Sequence, residues 1–273
     1  MSSLSIGRAW DETRQILARD GKLIINIALA TILLPQALAG VIAPPPNLST
    51  AEPPAWMPLI TTLVLCAGMI GQIAIIRLAL GPTTTVGDAI RHGARRFFPA
   101  LLGLILFGFS LALLLAPLFM LIAGPDALQA LAQEKASPRA GGALLLVVFM
   151  ILLVSVRFQF ILPVATAEAG GPIAILKRNW ALTAGHYWKL LGFLALVLFA
   201  AGVVLLTAQM IGGIVARLTL GEVHPLSLSA LIVALVTAAV QTAVTSLFST
   251  ILARIYAQLS AGQASVPDVS RGD

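Results

Sequence analysis

Apolar residues along this chain fall into six long runs with almost no charge inside them. Before the first, third and fifth runs stands a shorter stretch in which basic and apolar residues share helical spacing. The runs are Leu23 to Glu52 (interrupted at Pro44-Pro45-Pro46), Pro53 to Ile76, Phe97 to Pro125, Ala140 to Val156, Leu190 to Ala216 and Val223 to Ala253. Crossing the hydrocarbon of a bilayer takes about 20 apolar residues in a helix. Five runs meet that length directly. The fourth reaches Arg157 after 17 residues and goes on through Phe158-Gln159-Phe160-Ile161-Leu162, so an arginine snorkelling to the headgroups predicts a helix continuing to Pro163.

The preceding stretches begin near Ile6, Val86 and Ile173, a recurrence that marks a repeat. In the first, Ile6, Trp10, Thr13 and Leu17 make a stripe beside Arg8, Glu12, Arg14 and Arg19. In the second, Val86, Ile90, Ala94 and Phe97 do so beside Arg91, His92, Arg95 and Arg96. In the third, Ile173, Leu176, Trp180 and Tyr187 stand beside Lys177 and Arg178. Such helices suit the plane of the interface, with rings toward acyl chains and cations toward headgroups. The pattern therefore predicts an all-α membrane protein of six transmembrane helices, built as three hairpins, each preceded by an amphipathic interfacial helix. The expected bounds are one domain over residues 1–259. Its spans lie near 23–43, 56–77, 97–123, 140–163, 189–215 and 225–254, with interfacial helices near 5–20, 84–96 and 172–184. A polar, disordered cytoplasmic tail over 260–273 follows.

Charge fixes an orientation. With both termini and the even-to-odd connections on one side, that side holds 14 of the 17 Lys and Arg residues, against Lys135, Arg139 and Arg217 opposite. The positive-inside rule makes the richer side, and both termini, cytoplasmic. Leu23–Leu34 followed by Ala37-Leu38-Ala39 has the outline of a cleavable signal. Asp11, Glu12 and Asp20 before it, and the second span it would orphan, argue for a retained helix.

Composition agrees: 59% of residues are hydrophobic and 10% charged, where soluble domains carry about 25% charge. The net charge of +6 is spread over the ends of apolar runs, which argues for membrane orientation and against nucleic acid. Cys66 is alone, so no intrachain disulfide or cysteine metal cluster forms.

Candidate lipid-headgroup contacts are Arg77, Arg91, Arg95, Arg96, Arg157, Lys177, Arg178 and Arg254; candidate interfacial anchors are Trp10, Phe97, Trp180, Tyr187 and Trp188. Small residues (Gly68, Gly71, Gly103, Gly108, Gly212, Gly213) allow close helix contact, and Gln72, Gln209, Gln241, Thr242 and Thr245 read as interhelical glue or as the lining of a pathway. Pro35 and Pro117 are expected to kink or end their helices near the outer face.

Catalytic signals are missing from the sequence. No Asp or Glu sits within the expected spans, His92, His186 and His224 have no metal-ligand spacing, and there is no Walker loop, nucleophile elbow or paired-carboxylate constellation. No catalytic, cofactor or metal residue is assigned. Asn47-Leu48-Ser49 is formally a sequon, and the terminal Arg271-Gly272-Asp273 is taken as coincidence.

The segment Ile173-Ala174-Ile175-Leu176-Lys177-Arg178-Asn179-Trp180-Ala181-Leu182-Thr183-Ala184-Gly185-His186-Tyr187-Trp188-Lys189-Leu190 resembles the pre-span helix of the membrane-domain family named after glycerophosphoryl diester phosphodiesterases, including its stand-alone YciC-like bacterial members. The Trp, Leu-Thr and Gly-x-x-Trp pattern carries the likeness, and the six-span layout extends it over residues 5–260. The resemblance implies a bacterial inner-membrane protein without the catalytic phosphodiesterase domain, for which this chain has neither the length nor the acidic and histidine metal site. The expectation is a non-enzymatic protein that interacts with membrane lipids, anionic phospholipid among them, or scaffolds a membrane or cytosolic protein. The alternative is a small-solute transporter or permease.

Overall fold

The computed structural model describes residues 4–44, 54–81, 85–124, 127 and 138–264. Pro45-Pro46, Asn47-Leu48-Ser49, Lys135 and Arg271-Gly272-Asp273 lie outside the described residues. Helix α1 (Ile6–Ala28), a π-helical turn (Leu29–Leu33) and α2 (Leu34–Ile42) form one continuous rod. There follow α3 (Met57–Leu80), α4 (Val86–Ala123), α5 (Pro138–Phe158), α6 (Ile161–Ala167), α7 (Pro172–Thr183), α8 (Tyr187–Leu220) and α9 (Leu228–Ala264). No strand occurs among the described residues.

Six helical stretches are long and apolar enough to cross a membrane. Their outward faces carry Leu113, Leu121, Phe199 and Leu218, all more than 60% exposed. Apolar surface of that extent is stable only against lipid or a partner. The chain is a multi-pass helical membrane protein.

The interfacial helices differ from expectation. Two of the three are continuous with the spans that follow them: Ile6–Ile42 runs unbroken through Gly21, and Val86–Ala123 through Pro99. Only α7 is separate. Pro172 opens it, and it ends before Ala184-Gly185-His186, where Gly185 has φ +82, a conformation glycine adopts without strain. The inward faces also differ from the aromatic stripes. Ala9, Thr13, Ile16 and Asp20 are buried on α1, Ala89, Gly93, Phe97 and Ala100 on α4, and Ile175, Asn179 and Leu182 on α7. Phe97, Asp20 and Asn179 apart, small and aliphatic residues face the bundle, while Trp10, Ile173 and Trp180 turn outward.

Proline explains two irregularities. The ring of Pro163 obstructs the carbonyl of Gln159 four residues back, and the fourth span breaks there at Gln159-Phe160 instead of running on as one helix. The short α6 that follows is core: Phe160, Ile161, Val164 and Ala165 are at most 1% exposed. Pro35 does not end its helix. The π turn Leu29–Leu33 lies over its i−4 position, Thr31, and the rod continues to Ile42; α4 likewise runs past Pro117 to Ala123. At the other terminus α9 extends to Ala264, so residues 260–264 are helical where a tail was expected.

Helix α9 packs against α1, α2, α3 and α8, and α3 against α4. The start of α1 and the end of α9 share one end of the bundle, where Arg254 bonds Glu12. The α2 terminus meets the α8–α9 connection at the other, where Leu226 N donates to Val41 O at 2.9 Å.

Candidate functional site

Helix α4 has 38 residues, about 57 Å of helix against about 30 Å of hydrocarbon. The rod of α1 and α2 has 37. The basic ends of α1 and α4, the end of α9 and the separate α7 therefore form a collar beyond the apolar layer, and it contains most candidate residues.

Two carboxylates hold the collar together. Glu12 accepts from Arg254 Nε at 2.8 Å, lies 2.7 Å from its Nη2, and accepts from Arg8 Nε at 3.1 Å. Arg254 Nη1 also donates to the Ala79 carbonyl at 3.2 Å, so one guanidinium ties α1, α3 and α9 together. Glu168, just after α6, accepts from Arg178 Nε and the Tyr256 hydroxyl, both at 2.8 Å. Arg178 Nη1 donates to Gln263 Oε1 at 2.6 Å, and Gln263 Nε2 donates to the Ala181 carbonyl at 3.1 Å, which clamps α7 onto the end of α9. Arg178 and Arg254 are thus neutralised within the protein.

Arg157 is held differently. Its guanidinium carbon lies 4.6 Å from the Trp180 ring centroid and 5.2 Å from that of Tyr187, whose hydroxyl donates to the Leu153 carbonyl at 2.9 Å. Cation–π attraction accounts for this placement. A double-mutant cycle of Arg157→Met and Trp180→Leu should give a coupling of about 0.5–2 kcal/mol in reversible detergent unfolding. Additive effects would mean that the stacking contributes nothing.

Arg77, Arg91 and Arg95 remain. Together with Asp88 and His92 they line a polar recess of about 240 Å³ between the end of α3 and the start of α4. Asp88, Arg91, His92 and Arg95 follow i, i+3, i+4, i+7 spacing, so α4 presents them on one face. Thr85 caps the helix: its hydroxyl accepts from Asp88 N at 3.1 Å and donates to Asp88 Oδ2 at 2.7 Å. His92 Nε2 lies 3.0 Å from the Thr166 carbonyl. A carbonyl only accepts, so this nitrogen carries the proton, and the bond fixes α4 to the end of α6. Among the described residues none of the three guanidinium groups forms an ion pair. The recess holds three permanent cations against one carboxylate, chemistry suited to a phosphate-sized anion.

The other candidates scatter. Arg96 is half-buried and Lys177 exposed, and neither lines the recess. Trp10, Trp180 and Trp188 are 44%, 55% and 78% exposed and Tyr187 is half-buried, whereas Phe97 is 9% exposed within the core and its neighbour Phe98 takes the outward position. Gln241 lines a separate recess of about 220 Å³ with Gln36 and Thr237; Gln72, Gln209 and Thr245 are not part of that lining. Sequence reasoning missed Asp88 and His92 as members of the recess, although their helical spacing with Arg91 and Arg95 was available.

A family model described as a domain of unknown function (DUF7847) matches residues 4–259. No curated protein matches the chain, and no solved structure matches it.

Proposed function

We propose that this chain, which belongs to the DUF7847 family, is a non-enzymatic membrane protein that holds phospholipid headgroups by their phosphates at its basic end. The observation that carries the reading is the recess of Arg77, Arg91, His92 and Arg95, answered among the described residues by Asp88 alone. Its level supports a lipid as the ligand: α4 leaves the apolar layer close to Phe97, so Arg91 and Arg95 stand at headgroup height. The 14-to-3 distribution of basic residues places this end in the cytoplasm in our reading. Kinship with the glycerophosphoryl diester phosphodiesterase membrane domains, and with it a bacterial inner membrane, is proposed on the Asn179-Trp180 to Trp188 pattern alone.

The test is lipid retention in nanodiscs of mixed anionic and neutral phospholipid, read by native mass spectrometry. Each basic residue near a charged surface contributes about 1 kcal/mol, so Arg91→Gln with Arg95→Gln should lower anionic-lipid retention about 30-fold. The pair Arg14→Gln with Lys177→Gln removes the same net charge outside the recess and should lower it far less. Equal losses in the two variants would reduce the recess to diffuse surface charge and sink the reading.

A further inference from the structure

The recess contains a feature that phosphate binding does not use. Asp88 and the guanidinium groups of Arg77, Arg91 and Arg95 line the same 240 Å³ space, yet among the described residues no ion pair joins them. Asp88, Arg91 and Arg95 are exposed, where an ion pair gains little, and the Asp88 carboxylate turns to the helix cap. Here the Thr85 hydroxyl holds Asp88 Oδ2, although Arg91, three residues on, stands at a spacing that permits pairing. The cap engages one carboxylate oxygen, and no hydrogen bond among the described residues uses the other. The recess has two poles: donors for a phosphate, and one strong acceptor that can take only a hydrogen-bond donor.

We infer that the recess selects an anionic phosphodiester lipid whose headgroup carries free hydroxyl groups. This inference rests on the headgroup reading above and names the ligand class for it. The phosphate meets Arg77, Arg91 and Arg95, and a headgroup hydroxyl donates to Asp88, a charge-assisted bond. A headgroup with no donor leaves the Asp88 carboxylate facing the phosphate's own negative charge. A zwitterionic ethanolamine headgroup satisfies Asp88 but brings no net negative charge to a recess with three arginines and one aspartate.

Two lipids of equal charge isolate the hydroxyl contribution: phosphatidylglycerol, and phosphatidylmethanol, which lacks headgroup hydroxyls. In nanodiscs containing both, native mass spectrometry should show phosphatidylglycerol retained about tenfold over phosphatidylmethanol, the worth of one hydrogen bond to a charged group. Asp88→Asn keeps an acceptor for Thr85 and removes the charge. It should raise retention of both lipids while reducing the ratio to about twofold, against the tenfold expected of a hydrogen bond to a charged group. Equal retention by the unaltered protein, needing no variant, overturns the inference; if Arg91→Gln with Arg95→Gln then lowers both lipids alike, phosphate binding itself stands. A tenfold ratio unchanged in Asp88→Asn also overturns it, because the selection then lies elsewhere, as does a preference for phosphatidylethanolamine. Displacement of the lipid by an equimolar amount of its chain-free headgroup phosphodiester assigns the recess to a soluble ligand and overturns the lipid source. If neither anionic lipid is retained above phosphatidylcholine, the headgroup reading fails together with the inference.

Discussion

Gly93→Val should destabilise the folded bundle by about 3 kcal/mol, at the severe end of overpacking substitutions. A Cβ at Gly93 would stand 2.6 Å from the Ile70 carbonyl oxygen and 3.2 Å from Ile70 Cγ2. The nearer atom is backbone inside α3, so no rotamer change relieves the contact and the two helices must separate. Val also removes the helix penalty of glycine, but that gain is below about 1 kcal/mol and does not decide the sign. Gly108→Val is the matched control: it lies on the same helix with nothing within 4 Å of its added Cβ, and should be neutral or slightly stabilising. Thermal unfolding in a single detergent measures both, and equal midpoints would refute the close α3–α4 contact.

The same contact builds the recess. Arg77 lies two helical turns beyond Ile70, and Gly93 sits between Arg91 and Arg95 on the facing helix. Spreading α3 from α4 therefore moves Arg77 away from the other two cations. A partly folded Gly93→Ala variant should retain less anionic lipid than its loss of folded protein accounts for.

These residues also divide what was legible in the sequence from what was not. The six spans follow from apolar runs, whose lengths need no partner to interpret. The Asp88, Arg91, His92 and Arg95 face follows from local periodicity. Arg77 does not: it joins them through a glycine-mediated helix contact that no spacing encodes. Nor does the neutralisation of Arg254 by Glu12, residues 242 positions apart. For Arg178 the partner Glu168 is ten positions away, across the Gly170-Gly171 turn. Eight basic candidates that looked alike in sequence separate into two paired within the protein, one stacked on aromatics, three converging on a recess and two outside it.

The interfacial helices show a different limit. Hydrophobic spacing identified each basic stretch as amphipathic but not which stripe faced inward, because a second stripe, small on α4 and mixed on α1 and α7, runs beside the aromatic one. In lipid the aromatic stripe need not be buried in protein, and the small stripe wins the bundle contact since it allows closer approach. Phe97 is an exception: it lies on the inward stripe with Ala89, Gly93 and Ala100 and is core, while its neighbour Phe98 is 68% exposed.

Glu12→Ala should release the first turns of α1 from the bundle. The Arg254 side chain is 25% exposed and that of Glu12 23%, so the pair is largely withdrawn from solvent. Removing one partner of a fully buried pair costs about 3–5 kcal/mol; partial exposure here lowers the expectation to about 2–3 kcal/mol. The Ala79 carbonyl still accepts from Arg254, which leaves the guanidinium tied to α3 while α1 loses its hold. Amide exchange should therefore rise in residues 6–20 and much less at the end of α3. Replacing both partners, Glu12→Leu with Arg254→Leu, should recover most of the stability because no charge is left stranded. Recovery with persistent fast exchange at α1 would mean that charge, not packing of Ala9, Thr13 and Ile16, docks this helix. Protection unchanged in Glu12→Ala alone would mean the reverse: the buried stripe suffices, and the first basic stretch is part of the bundle irrespective of its salt bridge.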